Sequence, residues 1–153
     1  MHPFGTDQLG RDTLARMMAG GRTSIAVGLA AMALSLFFGS FIGVTAGFYK
    51  RLDGVLMRFT DLFLSLPLLP LLLVMMLLFR EPLSEAYGPE RGMFVLIVVS
   101  IGITSWMPTA RIVRADVLAL KEREFVLAAK ASGTSDTLII LRHIMPNVLS
   151  PIM

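Results

Sequence analysis

The chain alternates between long apolar runs without a single ionisable side chain and short, densely charged segments. Residues 23–49, 62–79 and 92–110 contain no Asp, Glu, Lys or Arg. Each run is close to the roughly 20 residues that a helix needs to cross about 30 Å of hydrocarbon, so three membrane spans are expected. Asn147 to Met153 begins a fourth apolar stretch. The expected fold is an all-α membrane protein, a single partial transmembrane domain over residues 1–153. Its expected parts are a pre-span amphipathic segment (1–22), three spans, a polar segment (111–146) and the start of another span (147–153).

Within the runs, the first has small residues every four positions: Ala31, Ser35, Gly39, Gly43 and Gly47. Lipid gives helices no hydrophobic reason to associate, and small residues let backbones approach closely enough for van der Waals contact to hold them. Ser35, Gly39, Gly43 and Gly47 are therefore expected helix-packing positions. The plainer alternative is that glycine is common in membrane helices. In the second run Pro67 and Pro70 remove two backbone donors and predict a kink. Asp61, at its head, reads as an interfacial residue near Arg58. The stretch from Arg80 to Arg91, with two prolines, a glycine and five charges, reads as a connecting loop outside the membrane. Trp106 reads as an interfacial indole, and Pro108 as a bend at the exit of the third span. Ahead of the first run, residues 12–18 suggest a short amphipathic helix at the interface, ended by Gly20 and Gly21.

Composition agrees with the pattern. Apolar residues make up 55% of the 153 and charged residues 16%, against about a quarter in soluble domains. Mean hydropathy is +0.73. The net charge of +3 would point to nucleic acid in a soluble protein. Here the cations sit between spans, so their partner is the membrane surface and no nucleic acid is expected. Lys50, Arg51, Arg58, Arg111, Arg114, Lys121, Arg123, Lys130 and Arg142 share one side, against Arg11, Arg16, Arg22, Arg80 and Arg91 on the other. Cations favour the cytoplasmic side, which puts residues 111–146 in the cytoplasm. The N-terminus would then start outside, although residues 1–22 lack the apolar core of a signal peptide. An additional span before this segment is the expectation, and the chain reads as truncated.

The polar segment predicts a helix from Arg111 to Ser132 on good helix formers. Gly133 closes it in the left-handed conformation. Ser135 or Asp136 caps a second helix, and Pro146 fits the first turn of the next span. Phe125, Ala128, Ala129 and Ser132 share a face by three- and four-residue spacing. A small face with one aromatic anchor suits a helix that enters a partner's groove, with Glu122, Arg123, Glu124 and Lys130 at the rim. Packing only against its own chain is the alternative.

Two motifs carry a resemblance. Ala128-Ala129, Gly133 and Pro146 match the spacing of the cytoplasmic signature loop of ABC importer permeases, EAA, three residues, G, nine residues, I-x-L-P. Leu127 stands where that loop has glutamate, and His143-Ile144-Met145-Pro146 stands for its end. Gly5-Thr6-Asp7, Leu9-Gly10-Arg11-Asp12, Arg16, Gly20, Arg22 and Ser24 match the stretch before a span in the dipeptide, oligopeptide and nickel branch. The chain thus resembles the permease subunit of a type I ABC importer, incomplete, with three full spans and the start of a fourth. The resemblance implies one further span before this segment and two after it. It implies import of peptides or a related small solute, possible nickel included, across a bacterial or archaeal cytoplasmic membrane. It also implies ABC ATPase subunits, a second permease subunit and an external solute-binding protein as partners. Glu124, Phe125, Ala128, Ala129, Ser132 and Gly133 become the expected ATPase-docking residues. Leu127 removes the usual acidic contact.

No catalytic residue, cofactor or metal is expected. Each lysine lacks the preceding glycine of a phosphate-binding loop, His2 and His143 have no ligand spacing, and the sequence has no cysteine. ATP hydrolysis would fall to a partner. An intramembrane enzyme would need ionisable residues inside the spans; a membrane anchor or assembly module without transport is the rival reading.

Overall fold

The computed structural model describes residues 4–6, 10 and 12–149. Within them the chain forms α1 (Thr13–Phe48), α2 (Lys50–Leu64), α3 (Leu68–Tyr87), α4 (Pro89–Leu120), α5 (Glu124–Ala131), α6 (Asp136–Ile139), a π-helical turn (Ile140–Ile144) and α7 (Met145–Leu149). Helices α1 and α4 are each long and apolar enough to cross a membrane; α2 and α3 pass the same test together but meet at 83°. The bend falls where Pro67 caps α3 with extended backbone. Proline forbids the helical bond there and disfavours helix in the residue before it, so the span breaks between Leu64 and Leu68.

The contact between α1 and α4 organises the bundle. Ala31, Ser35, Gly39, Gly43 and Gly47 are all buried. A methyl group built on Gly39 would lie 2.6 Å from the Thr109 Cβ, on Gly43 2.6 Å from the Ala110 carbonyl oxygen, and on Gly47 2.7 Å from the Val117 Cβ. The Trp106, Ala110 and Arg114 carbonyls face the three glycines in turn, one each. Residue numbers rise together on both helices, so α1 and α4 run parallel with four-residue steps matched to four-residue steps. Gly102 returns the arrangement by receiving Leu34. Near the start of this seam the Ser35 and Thr109 hydroxyls are 3.5 Å apart.

Four local expectations are corrected. Gly20 and Gly21 do not end a helix; α1 runs through them without interruption. Asp12 caps its start by accepting from the Leu14 N–H at 3.0 Å, and the Thr23 hydroxyl donates to the Ala19 carbonyl across the pair. Two helical glycines cost about 1 kcal/mol each, too little to break a capped helix. The segment 80–91 is no loop: α3 continues to Tyr87 and α4 starts at Pro89, with Gly88 at φ +84° as the turn. Gly92 permits this tight return, since a Cβ there would meet the Leu83 carbonyl oxygen at 2.5 Å. Trp106 is an interior residue, 6% exposed, with the rings of Phe59 and Phe63 each 6.4 Å away. Asp61, one turn after Arg58 on α2, pairs with Arg111 at 2.5 Å. Finally, the helix expected over 111–132 is two helices, α4 and α5, with Lys121 to Arg123 between them.

The seam makes a direct prediction. Gly43→Ala should destabilise the folded protein in detergent by about 1–3 kcal/mol through overpacking. Gly28→Ala, where a Cβ meets nothing within 4 Å, should be neutral or slightly stabilising. Thermal unfolding of the two variants side by side checks this, and equal midpoints would refute the seam.

Candidate interaction surface

At the end of the bundle where α1 and α4 finish, the short helices form a cap. Val44 of α1, Val113 and Val117 of α4, Val126 of α5, Ile139 of α6, Ile144 of the π turn and Val148 of α7 make one buried cluster, with Phe48, Leu120, Ala129, Ile140 and Met145 against it. Val126 is the residue that folds α5 back onto the bundle. Lys121, Glu122 and Arg123 are all good helix formers, so their sequence alone would continue α4. Burying Val126 completely demands the turn, and tertiary packing overrides propensity.

Gly133 ends α5 at φ +75°. Its N–H donates to the Lys130 carbonyl at 3.0 Å, and the Thr134 N–H to the Ala129 carbonyl at 3.1 Å. These are the two bonds of a Schellman closure. Ser135 then stands at the head of α6 in extended backbone, but neither it nor Asp136 supplies a side-chain cap there. Pro146 falls inside a continuous helical stretch rather than in a first turn. The π turn immediately before it lets the Met145 N–H reach the Ile140 carbonyl. A proline ring clashes with the carbonyl four residues back, and a widened turn is one way to make room.

The expected docking residues divide by burial. Phe125 is 43% and Leu127 48% exposed, and Glu124, Ala128, Ser132 and Gly133 are exposed as well. Ala129 is half-buried and packs on the cluster. The exposed face of α5 therefore runs through Phe125, Leu127 and Ala128, with Leu138 and Leu141 (47% and 62% exposed) on the following turns. The Phe125 ring lies 6.2 Å from His143. Sequence spacing missed Val126, one apolar residue among several, because nothing in its position distinguishes inward from outward until the break at 121–123 is known. Lys130, expected at the rim, instead lies over the Phe48 ring, 5.1 Å from its centre.

Charge gathers at the same end. Arg114 engages Asp53 with both nitrogens, one at 2.6 Å from the Asp53 Oδ2. Arg111 pairs with Asp61, and the Lys121 ammonium donates to the Gly47 carbonyl at 3.3 Å. Asp53 and Asp61 thus tie α2 to α4. At the start of α1, Gly5 and Gly10 have φ of +74° and +71°. Thr6 bridges to Asp12, and the Thr13 N–H donates to the Gly5 carbonyl at 3.3 Å. In the GTDxLGRD stretch Gly5, Thr6, Gly10 and Asp12 therefore form a capping turn, with Arg16 one turn into the helix; Asp7, Leu9 and Arg11 lie outside the described residues. Among the described residues no three His, Asp or Glu side chains come together as a metal site.

The described residues thus form a helical membrane chain with a small helix–glycine–helix cap where α1 and α4 finish. The chain belongs to the family of binding-protein-dependent transport system inner membrane components, whose pattern it matches over residues 35–153. It is 38% identical over 153 residues to a putative peptide transport system permease protein of Brucella suis, covering 99% of this chain and 48% of that protein. It is 39% identical to the oligopeptide transport system permease protein of Bacillus subtilis (99% of this chain, 47% of that protein). The dipeptide transport system permease protein of the same organism is 37% identical over 154 residues (99% and 44%). The chain spans about half the length of these relatives. The family and the apolar helices α1 and α4 together make this a membrane-embedded chain.

The closure at Gly133 is testable. A Cβ there meets no neighbour, so Gly133→Ala would cost only the left-handed backbone, about 1 kcal/mol. Amide exchange across residues 131–136 should rise about fivefold for that cost, and Gly133→Asn should raise it less.

Proposed function

We propose that this chain is the transmembrane subunit of an ATP-driven importer in a bacterial or archaeal cytoplasmic membrane. It lines part of the path for peptides or a related small solute, and α5 with the Gly133 turn is the cytoplasmic element that docks on a separate ATPase. The observation that carries this reading is the two-sidedness of α5. Val126 and Ala129 fasten it to the bundle, while Phe125, Leu127 and Ala128 stay open to a partner. The cations clustered at that end support a cytoplasmic orientation. The relatives' names supply the solute class. A second permease subunit and an external solute-binding protein complete the proposed assembly.

Closure of the ATPases on nucleotide would displace α5 and shift the spans between outward and inward access. Such a shift requires contacts that differ between the two states. Leu127 makes the docking apolar where the signature loop is acidic.

The absence of cysteine permits a direct test. Single cysteines at Ala128 and Ser132, both exposed, should crosslink to the ATPase in the assembled transporter, with yields that change between nucleotide-free and nucleotide-bound states. Ala129→Cys should react more weakly because that side chain is half-buried. No crosslink from either exposed position would sink the docking assignment.

A further inference from the structure

Helix α5 is not a rigid extension of α4. Lys121, Glu122 and Arg123 interrupt the helix, so a push on α5 does not travel along one rod. It passes through whatever spans the joint. The apolar cluster is one such connection, and it gathers residues from every neighbouring element. Two others are specific and converge on consecutive residues of a single helix. On the α4 side of the joint, the ammonium of Lys121, the residue that caps α4, donates to the Gly47 carbonyl at 3.3 Å. From the far end of α5, Lys130 sits 5.1 Å above the Phe48 ring.

Gly47 and Phe48 are the last two residues of α1. The carbonyls there have no partner within the helix and carry the negative end of its dipole, so an ammonium is favoured at that point. The aromatic face offers the second cation a matching partner. The Gly47 backbone stands close against α4, since a Cβ there would lie 2.7 Å from the Val117 Cβ and 3.0 Å from the Arg114 carbonyl oxygen.

We propose that Lys130 is a positioning residue that fastens the docking helix to the end of α1, while Lys121 holds the α4 side of the joint to the same point, so that α1 moves with α5 as one body during transport. The proposal rests on the assignment of α5 as the docking element. It adds which span receives the movement and through which side chains. Without the two lysines α5 would remain attached through Val126, but its end at Lys130 would lose its cationic contact with α1.

The test uses the full chain in its assembled transporter, with spin labels at Phe37→Cys on α1 and Ala131→Cys on α5, both exposed. In the parent protein the label distance should be narrowly distributed and the same in nucleotide-free and nucleotide-trapped states. In Lys121→Met/Lys130→Met the distribution should broaden and shift on trapping. ATP consumed per solute imported should rise above the parent's value. The Ala128→Cys crosslink to the ATPase should persist. Lys130→Arg, which keeps the cation over Phe48, should behave as the parent. Parent-like distances and stoichiometry in the double variant would overturn the proposal, as would loss of the crosslink along with coupling, since the lysines would then serve docking itself. Failure of the docking assignment reads differently: the parent would give no crosslink, while label distances in the permease alone would still report whether the lysines hold α1 to α5.

Discussion

The close approach of α1 to α4 is the constraint on which the rest of this chain depends. In lipid, two apolar helices gain nothing by hiding from the solvent, so their contact must come from surface fit. Gly39, Gly43 and Gly47 supply that fit by removing the side chains that would stand between one backbone and the other. Because the glycines recur every four residues and face carbonyls that recur every four residues, the fit fixes register as well as proximity. Parallel alignment then brings the end of α1 beside the end of α4. The valines of the cap cluster, the ion pairs to α2 and the lysine contacts to α1 all become possible only in that register.

The spacing of small residues was legible because it is a local regularity with one physical use. Both the bend at Pro67 and the glycine closure at Gly133 could be read for the same reason: proline and glycine dictate backbone geometry whatever surrounds them. What sequence could not supply were outcomes decided by distant partners. The break after Leu120 follows from burying Val126, and the good helix formers there give no hint of it. Trp106 sits inside because Phe59 and Phe63 arrive from the bent second span, and Asp61 turns to Arg111 because α2 lies along α4. The tight return at Gly88 hinges on Gly92, whose role is visible only once Leu83 is beside it.

The candidate surface was legible to a similar depth. Motif spacing isolated Ala128, Ala129 and Gly133, and helical periodicity gathered Phe125 and Ser132 with them. Neither could tell that Ala129 faces inward or that Lys130 reaches Phe48, because a helix face has no inside until its partner is known. The GTDxLGRD stretch gained a structural meaning of its own in the positive-φ glycines and the Asp12 cap. That turn starts α1 well before its apolar run and carries it unbroken through Gly20 and Gly21.

Helix α3 is the contrast to all this. It is rich in leucine and methionine, yet none of its residues is buried, and its Leu83 carbonyl lies beside Gly92 of α4. By length and composition α3 makes a span only together with α2, whereas α1 and α4 are each apolar enough to cross a membrane alone and are also the pair joined by close backbone fit. Entering lipid and choosing a neighbour are therefore separate properties in this chain. Hydrophobicity can place a helix in the membrane, but the glycines of α1 decide what that helix stands beside.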